Sequence, residues 1–232
     1  MTYFLVNENF PAELCALLSK RGTVLRVPPF SALDFPVNRH PDMLAVNVCG
    51  VLFVYAEHTE LTALLEKHGI PFRTVAAKAG KLYPKDVALN LFAHGSLLFA
   101  CEKYAAREVL EYAAEQGLEP VNVRQGYVKC SVMPVGDAII TADAGIYKAA
   151  LTHGVDALLI RPGSIGIEKY DMGFIGGASA ALSAGESCVF GNLELHPDGK
   201  KIRDFAIAHG VEIQSLGEDA LFDYGGFVRV DT

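Results

Sequence analysis

The sequence predicts an α/β fold of five ββαβ units arranged as a five-bladed propeller, a closed ring whose fifth unit is formed by both chain termini. Three observations carry this prediction. Five predicted helices stop at a glycine followed at once by a short apolar strand, at Gly22, Gly69, Gly117, Gly154 and Gly210. The intervals between these glycines are 47, 48, 37 and 56 residues, a degenerate internal repeat. The last copy has only its first strand at the C-terminus, while a second strand, a helix and a third strand stand at the N-terminus. Glycine ends a helix at little cost because the residue after the last turn commonly needs positive φ. The basic or polar residues just before it suit the negative end of the helix dipole.

The units follow in order. In the first complete one, His40–Tyr55 reads as two strands around a tight turn at Cys49-Gly50, then a helix near 58–68 and a strand over Ile70–Val75. Tyr83–Ala100 repeats the pattern around His94-Gly95, with a helix near 103–116 and a strand over Leu118–Val123. Tyr127–Thr141 opens the third unit, which continues with a helix near 143–153 and the strand Ala157–Ile160. After a loop over Pro162–Phe174, Gly176–Leu182 and Ser187–Asn192 begin the fourth, closed by a helix near 198–209 and the strand Glu212–Ser215. Gly225–Val230 is the first strand of the fifth unit and Tyr3–Asn7 its second. Splitting a repeat over both ends closes a ring and removes open sheet edges, whereas an open solenoid would show capping repeats.

At 232 residues and 51% hydrophobic, with no linker-like stretch, the chain is expected to form a single domain over 1–232. A net charge of −7 argues against nucleic acid or an anionic membrane as partner and is compatible with a small cationic ligand. The N-terminal residues lack the pattern of a signal peptide, and no apolar run is long enough to span a membrane. A cytoplasmic protein is expected, and a homodimer is compatible with an acidic ring of this size. Cysteines at 15, 49, 101, 130 and 188 form no Cys-x-x-Cys pair, so thiols rather than disulfides are expected. No histidine spacing suits a metal, no phosphate loop is present, and no cofactor is expected.

The candidate site residues stand at the starts of the units. Asp42 lies in Arg39-His40-Pro-Asp-Met and Asp86 in Tyr83-Pro-Lys-Asp-Val. A carboxylate there can accept paired hydrogen bonds from a planar guanidinium, or can be a solvated or capping group. His40 is either an acid–base group or a satisfied imidazole in a turn. In Gly126-Tyr127-Val-Lys129-Cys130, strand alternation puts Tyr127 and Lys129 on one face and Cys130 on the other. Cys130 is read as a buried small thiol, or as a nucleophile if the lysine lowers its pKa. The paired glycines 176-177 and 225-226 bring backbone close either to a ligand or to a crowded core.

Five ββαβ units in a ring resemble the pentein superfamily of guanidino-group-modifying enzymes. Tyr83-Pro-Lys-Asp86-Val-Ala resembles that family's Gly-Gly-Asp-Val strand start, and His40-Pro-Asp42-Met the acidic strand start one unit earlier. Gly126-Tyr-Val-Lys-Cys130-Ser is similar in place to the His-Leu-Lys-Ser/Thr stretch of dimethylarginine dimethylaminohydrolases. Asp223-Tyr-Gly-Gly-Phe-Val-Arg229 stands where the family has its Gly-Gly-x-x-Cys nucleophile. The resemblance implies an axial pocket for a guanidino, amidino or amino-acid-like molecule, with Asp42 and Asp86 as anchors and Lys129, Tyr127, Arg39, His40 and Arg229 around them. It also aligns Arg229 with the family nucleophile and Tyr127 with its base, and no cysteine follows Cys188. Without thiolate and imidazole the usual covalent hydrolase or amidinotransferase route is not expected, and Cys130 and His40 are the remaining candidate catalytic groups. The alternative function is a non-catalytic ring that acts through protein–protein contact, as pentein ribosome anti-association factors do.

Overall fold

Each of the five repeats folds as its own three-stranded sheet, with one strand pattern throughout. The computed structural model describes every residue from Met1 to Thr232. It begins with β1 (Thr2–Val6), α1 (Ala12–Ser19) and β2 (Thr23–Arg26). A one-turn helix α2 (Pro41–Leu44) leads into β3 (Ala45–Val48), β4 (Val51–Tyr55), α3 (Thr59–Lys67) and β5 (Arg73–Val75). Next come β6 (Phe92–His94), β7 (Leu97–Ala100), α4 (Arg107–Glu115) and β8 (Glu119–Asn122). The one-turn α5 (Val128–Ser131) precedes β9 (Val132–Val135), β10 (Ala138–Thr141), α6 (Ala144–Thr152) and β11 (Ala157–Leu159). Then follow β12 (Ser179–Ser183), β13 (Glu186–Val189), α7 (Gly199–Ala208), β14 (Glu212–Ser215) and β15 (Phe227–Asp231).

In every sheet the middle strand runs antiparallel to its first neighbour and parallel to the strand beyond the helix. A two-residue turn suffices for the antiparallel pair, and the parallel pair needs the helical crossover. Cys49 and Gly50 make such a turn, both with left-handed φ, 48° and 80°, between the paired residues Val48 and Val51. The fifth sheet is ordered β15-β1-β2, so the two ends of the chain do share one unit. The strands form five separate sheets and no continuous barrel.

Helix patterning repeats with the sheets. Each of the five longer helices buries an i, i+4 pair: Leu14/Leu18, Leu61/Leu65, Val109/Ala113, Ile146/Ala150 and Ile202/Ala206. Four of the five helix-ending glycines take positive φ, from 64° at Gly69 to 79° at Gly117. Gly22 departs from that expectation. A Cβ there would lie 2.5 Å from the Thr2 carbonyl oxygen, so close packing on β1 selects the glycine.

The chain forms two compact units, one of Met1–Asn122 with Phe227–Thr232 and the other of Val123–Gly226. The first buries Leu5, Phe53, Val54, Leu61 and Phe99. The second buries Val135, Ile140, Ile175, Val189 and Ile202 in one cluster. Each such side chain contributes about 1.5–3 kcal/mol. No helix is long and apolar enough to cross a membrane.

The starts of the units correct the sequence reading. Strands expected from His40, Tyr83, Tyr127, Gly176 and Gly225 begin later, at Ala45, Phe92, Val132, Ser179 and Phe227, each after a turn or single helical turn. Pro41 occupies the first turn of α2, where its fixed φ and missing N–H cost nothing. The amide and hydroxyl of Ser131 both donate to the Tyr127 carbonyl, at 3.0 and 2.6 Å, and close the turn of α5. Gly225 and Gly226 have φ of 78° and 61°, outside the strand region. Side chains from Tyr127 to Cys130 therefore fan around a helical turn, and the alternation expected there does not hold.

Candidate functional site

In the first unit the two anchors predicted at Asp42 and Asp86 are both buried, 2% and 4% exposed. Asp42 is the second residue of α2, whose four residues are all buried. Neither of its carboxylate oxygens has a hydrogen-bond partner. Burying a carboxylate without compensation is costly, so such a group calls for a reason beyond folding.

The main chain of α2 is well held. Asn90 Nδ2 donates to the Asp42 carbonyl at 3.1 Å and lies 3.1 Å from Met43 Sδ. Asn90 is itself 2% exposed and sits four residues after Asp86, so the segment carrying one carboxylate clamps the turn carrying the other. Tyr55, at the end of β4, is fully buried near Asp86. Burial above all pushes its phenol far above the ordinary tyrosine range; the Leu89 and Ala88 main chain offsets part of this, and the Asp86 charge adds to it. The Leu89 and Ala88 groups act without reaching hydrogen-bond geometry, since the Tyr55 hydroxyl has no bonded partner.

The other expected residues of this unit are spread out. Arg39 stacks its guanidinium 4.9 Å above the Phe35 ring and faces Glu8 at 3.8 Å, with its Nε buried and without a partner. His40 is 4% exposed and stands directly before α2. Arg229 lies in β15 with its side chain 42% exposed and paired with Asp231 at 3.0 Å.

Tyr127, Lys129 and Cys130 belong to the second unit. The Tyr127 ring leans on Phe174 with centroids 5.8 Å apart, and Lys129 is half-buried. Cys130 is 4% exposed, and its carbonyl accepts hydrogen bonds from Gly176 and Gly177 at 2.8 and 3.2 Å. These glycines serve close approach: a Cβ on Gly176 would lie 2.3 Å from the Lys129 carbonyl oxygen, and one on Gly177 1.9 Å from Asp223 Oδ1. All five cysteines are free thiols. No three His, Cys, Asp or Glu side chains gather as a metal site.

Asp223 is an informative control. It is as buried as Asp42, but its carboxylate accepts from the amides of Phe174 and Gly225 at 2.8 and 2.9 Å. Asp198, 4% exposed, is held by Arg161 at 3.0 Å, which with the Arg161 amide lowers its pKa to about 2. Both of these carboxylates have hydrogen-bond partners, and that of Asp42 has none. Sequence reasoning missed Asn90, Tyr55 and Asp223. The signal for Asn90 was its place as the one polar residue in Val87-Ala-Leu-Asn-Leu-Phe92.

Several solved structures share this architecture. Dimethylarginine dimethylaminohydrolase, solved as an adduct with S-methyl-L-thiocitrulline, superposes with a TM-score of 0.59 at 10% identity, covering 93% of this chain and 92% of that one. The inosamine-phosphate amidinotransferase of Streptomyces griseus gives 0.53 at 13% identity, over 88% and 72%. Agmatine deiminase of Campylobacter jejuni gives 0.54 at 9% identity, over 93% and 87%. Among curated proteins no sequence matches. A mixed α/β chain of five small sheets with these neighbours has a pentein-type fold. One family model covers residues 5–228, and the chain therefore belongs to the family of unknown function DUF6873.

Proposed function

We propose that the five sheets are the blades of one propeller and that the protein binds a small guanidino, amidino or amino-acid-like molecule, with Asp42 and Asp86 as its carboxylate anchors. The observation that carries this reading is the Asp42 carboxylate, buried with both oxygens unpartnered while its backbone is fixed by Asn90. A planar guanidinium supplies parallel N–H donors that satisfy such an acceptor pair, and burial strengthens the bond. The fold neighbours that act on dimethylarginine and agmatine, or transfer amidino groups, support the choice of ligand class.

Lys129, Tyr127, Arg39 and Arg229 are proposed as further ligand contacts. By alignment with the family motifs, Arg229 and Tyr127 replace the usual nucleophile and base, so binding is the activity expected first. Any catalysis would fall to Cys130 and His40. Both side chains are nearly out of solvent, so attack by the thiol would require the site to open.

Thermal unfolding in the presence of guanidinium ion, arginine and agmatine tests the reading. At least one is expected to raise Tm for the natural sequence and to leave Asp42→Asn and Asp86→Asn unshifted. Failure of all three compounds to shift the unmodified protein would overturn it.

A further inference from the structure

The connection from β11 to β12, residues 160–178, is the longest in the chain, and its middle is a closed surface loop. The Gly173 amide donates to the Ile165 carbonyl at 2.8 Å, so the ends of the loop meet. Compact loops of this kind are often functional. Both feet are anchored by buried carboxylates. Asp198 holds the amide and guanidinium of Arg161, and Asp223 holds the amide of Phe174. Gly166 pairs with Phe222 in between.

Under this loop lies a cavity of about 110 Å³, at the C-terminal ends of the parallel strands β10 and β11. Crevices at that end of parallel strands are habitual ligand positions. Ile160, Ile165, Phe174 and Ile175 supply an apolar wall, and Ser131 and Asp143 supply polar groups. Ser131 is 2% exposed, and its hydroxyl gives its proton to the Tyr127 carbonyl, so toward the cavity it can only accept. The Asp143 carboxylate caps α6: Oδ1 accepts from Gly145 and Ile146 at 2.8 Å each, and Oδ2 accepts from Gln125 at 3.2 Å. Oδ2 retains capacity for another donor. The guanidinium of Arg161, the one basic side chain lining the cavity, is committed to Asp198.

We infer that this cavity is a second small-molecule site, separate from Asp42 and Asp86, for a short branched or cyclic hydrocarbon amine. The ammonium end donates to Asp143 Oδ2 and Ser131 Oγ, and the hydrocarbon rests on the isoleucines. The volume sets the size. An engineered protein cavity of about 150 Å³ takes benzene, so this one takes a hydrocarbon of about four or five carbons.

Isothermal titration with isoamylamine and with isovalerate, which share one carbon skeleton and carry opposite charges, tests the inference. Isoamylamine is expected to bind and isovalerate not. Asp143→Asn keeps a good helix cap and the oxygen that faces Gly145 and Ile146, and puts an NH₂ donor in place of Oδ2, so the charge and the acceptor offered to Gln125 and to the amine are lost together. It should weaken isoamylamine about tenfold, the value of a charge-assisted bond. Ile165→Trp, which fills the cavity, should abolish binding, while Asp42→Asn should leave it intact. Equal binding of the two compounds, no binding of either, or an amine affinity indifferent to Asp143→Asn would overturn the inference. The Asp42→Asn arm separates this outcome from the fate of the guanidino reading, because the two sites share no residue.

Discussion

The side-chain amide of Asn90 donates to the backbone carbonyl of Asp42 across 3.1 Å, at a point where both residues are 2% exposed. The bond fixes the position of a carboxylate that has no hydrogen bond of its own. Asn90→Ala should cost about 2 kcal/mol, since it leaves the Asp42 carbonyl buried without a donor. Urea unfolding measures this loss. Asn90→Ala should also diminish any guanidino-induced rise in Tm, and the conservative Asn90→Gln should restore part of it if the clamp acts by position.

Asp42 and Asp223 make opposite predictions. Asp42→Asn replaces a buried carboxylate that has no hydrogen bond by an uncharged amide and should stabilise the ligand-free protein by about 1 kcal/mol, a Tm rise of roughly 2–4 °C for a chain of this size. Asp223→Asn puts an NH₂ group among the Phe174 and Gly225 amides and should destabilise by about 2 kcal/mol. Scanning calorimetry of the two variants decides. A loss of stability in both would mean that Asp42 is a structural group like Asp223.

Glycines separate in the same way. Gly176→Ala pushes a methyl against the carbonyl oxygens of Lys129, Val132 and Cys130, all within 2.6 Å, and should cost about 3 kcal/mol or more. Gly69→Ala meets no atom within 4 Å and bears only its φ of 64°, for about 1 kcal/mol. Chemical denaturation of the pair should show that order.

Acid should act in two stages. His58 and His196 are both pushed below the ordinary histidine value, chiefly by burial, so the unfolded chain takes up their protons first. Their contribution is complete above about pH 6.5 and declines as the pH falls below it. The Asp198 carboxyl is lowered from 3.8 to about 2, so the stability it adds is complete above about pH 4 and is lost as the pH falls through about 2. Arg161→Ala should cost about 2 kcal/mol at pH 7 and progressively less between pH 4 and pH 2. Urea midpoints across that range read the difference.

The repeat was legible because its determinants are local. Glycine stops, i, i+4 apolar pairs and hairpin turns each act within a few residues, so Glu212–Ser215 is a strand as expected and α3, α6 and α7 fall within a residue of their expected limits. The unit starts were not legible, because their turns are imposed from a distance. Gly176 lies against the carbonyls of α5, some 45 residues upstream, and Asp223 caps the Phe174 amide 49 residues before it. Of the candidate site, Asp42 and Asp86 stood out only through the resemblance of their segments to the acidic strand starts of the pentein family, and the structure shows both buried. Their difference in kind from Asp223 was not legible, because it depends on which backbone amides come within 3 Å of each carboxylate.

The sheet β15-β1-β2 also sets an order in time. Residues 123–226, the whole second unit, are synthesised between the two stretches of the first. During all of that interval β1 has β2 on one side and an exposed apolar edge on the other, because Phe227–Asp231 does not yet exist. Early-made, late-completed strands of this kind attract wrong partners. The nascent first unit is thus the part of this chain most exposed to aggregation and most dependent on the final few residues of the fold.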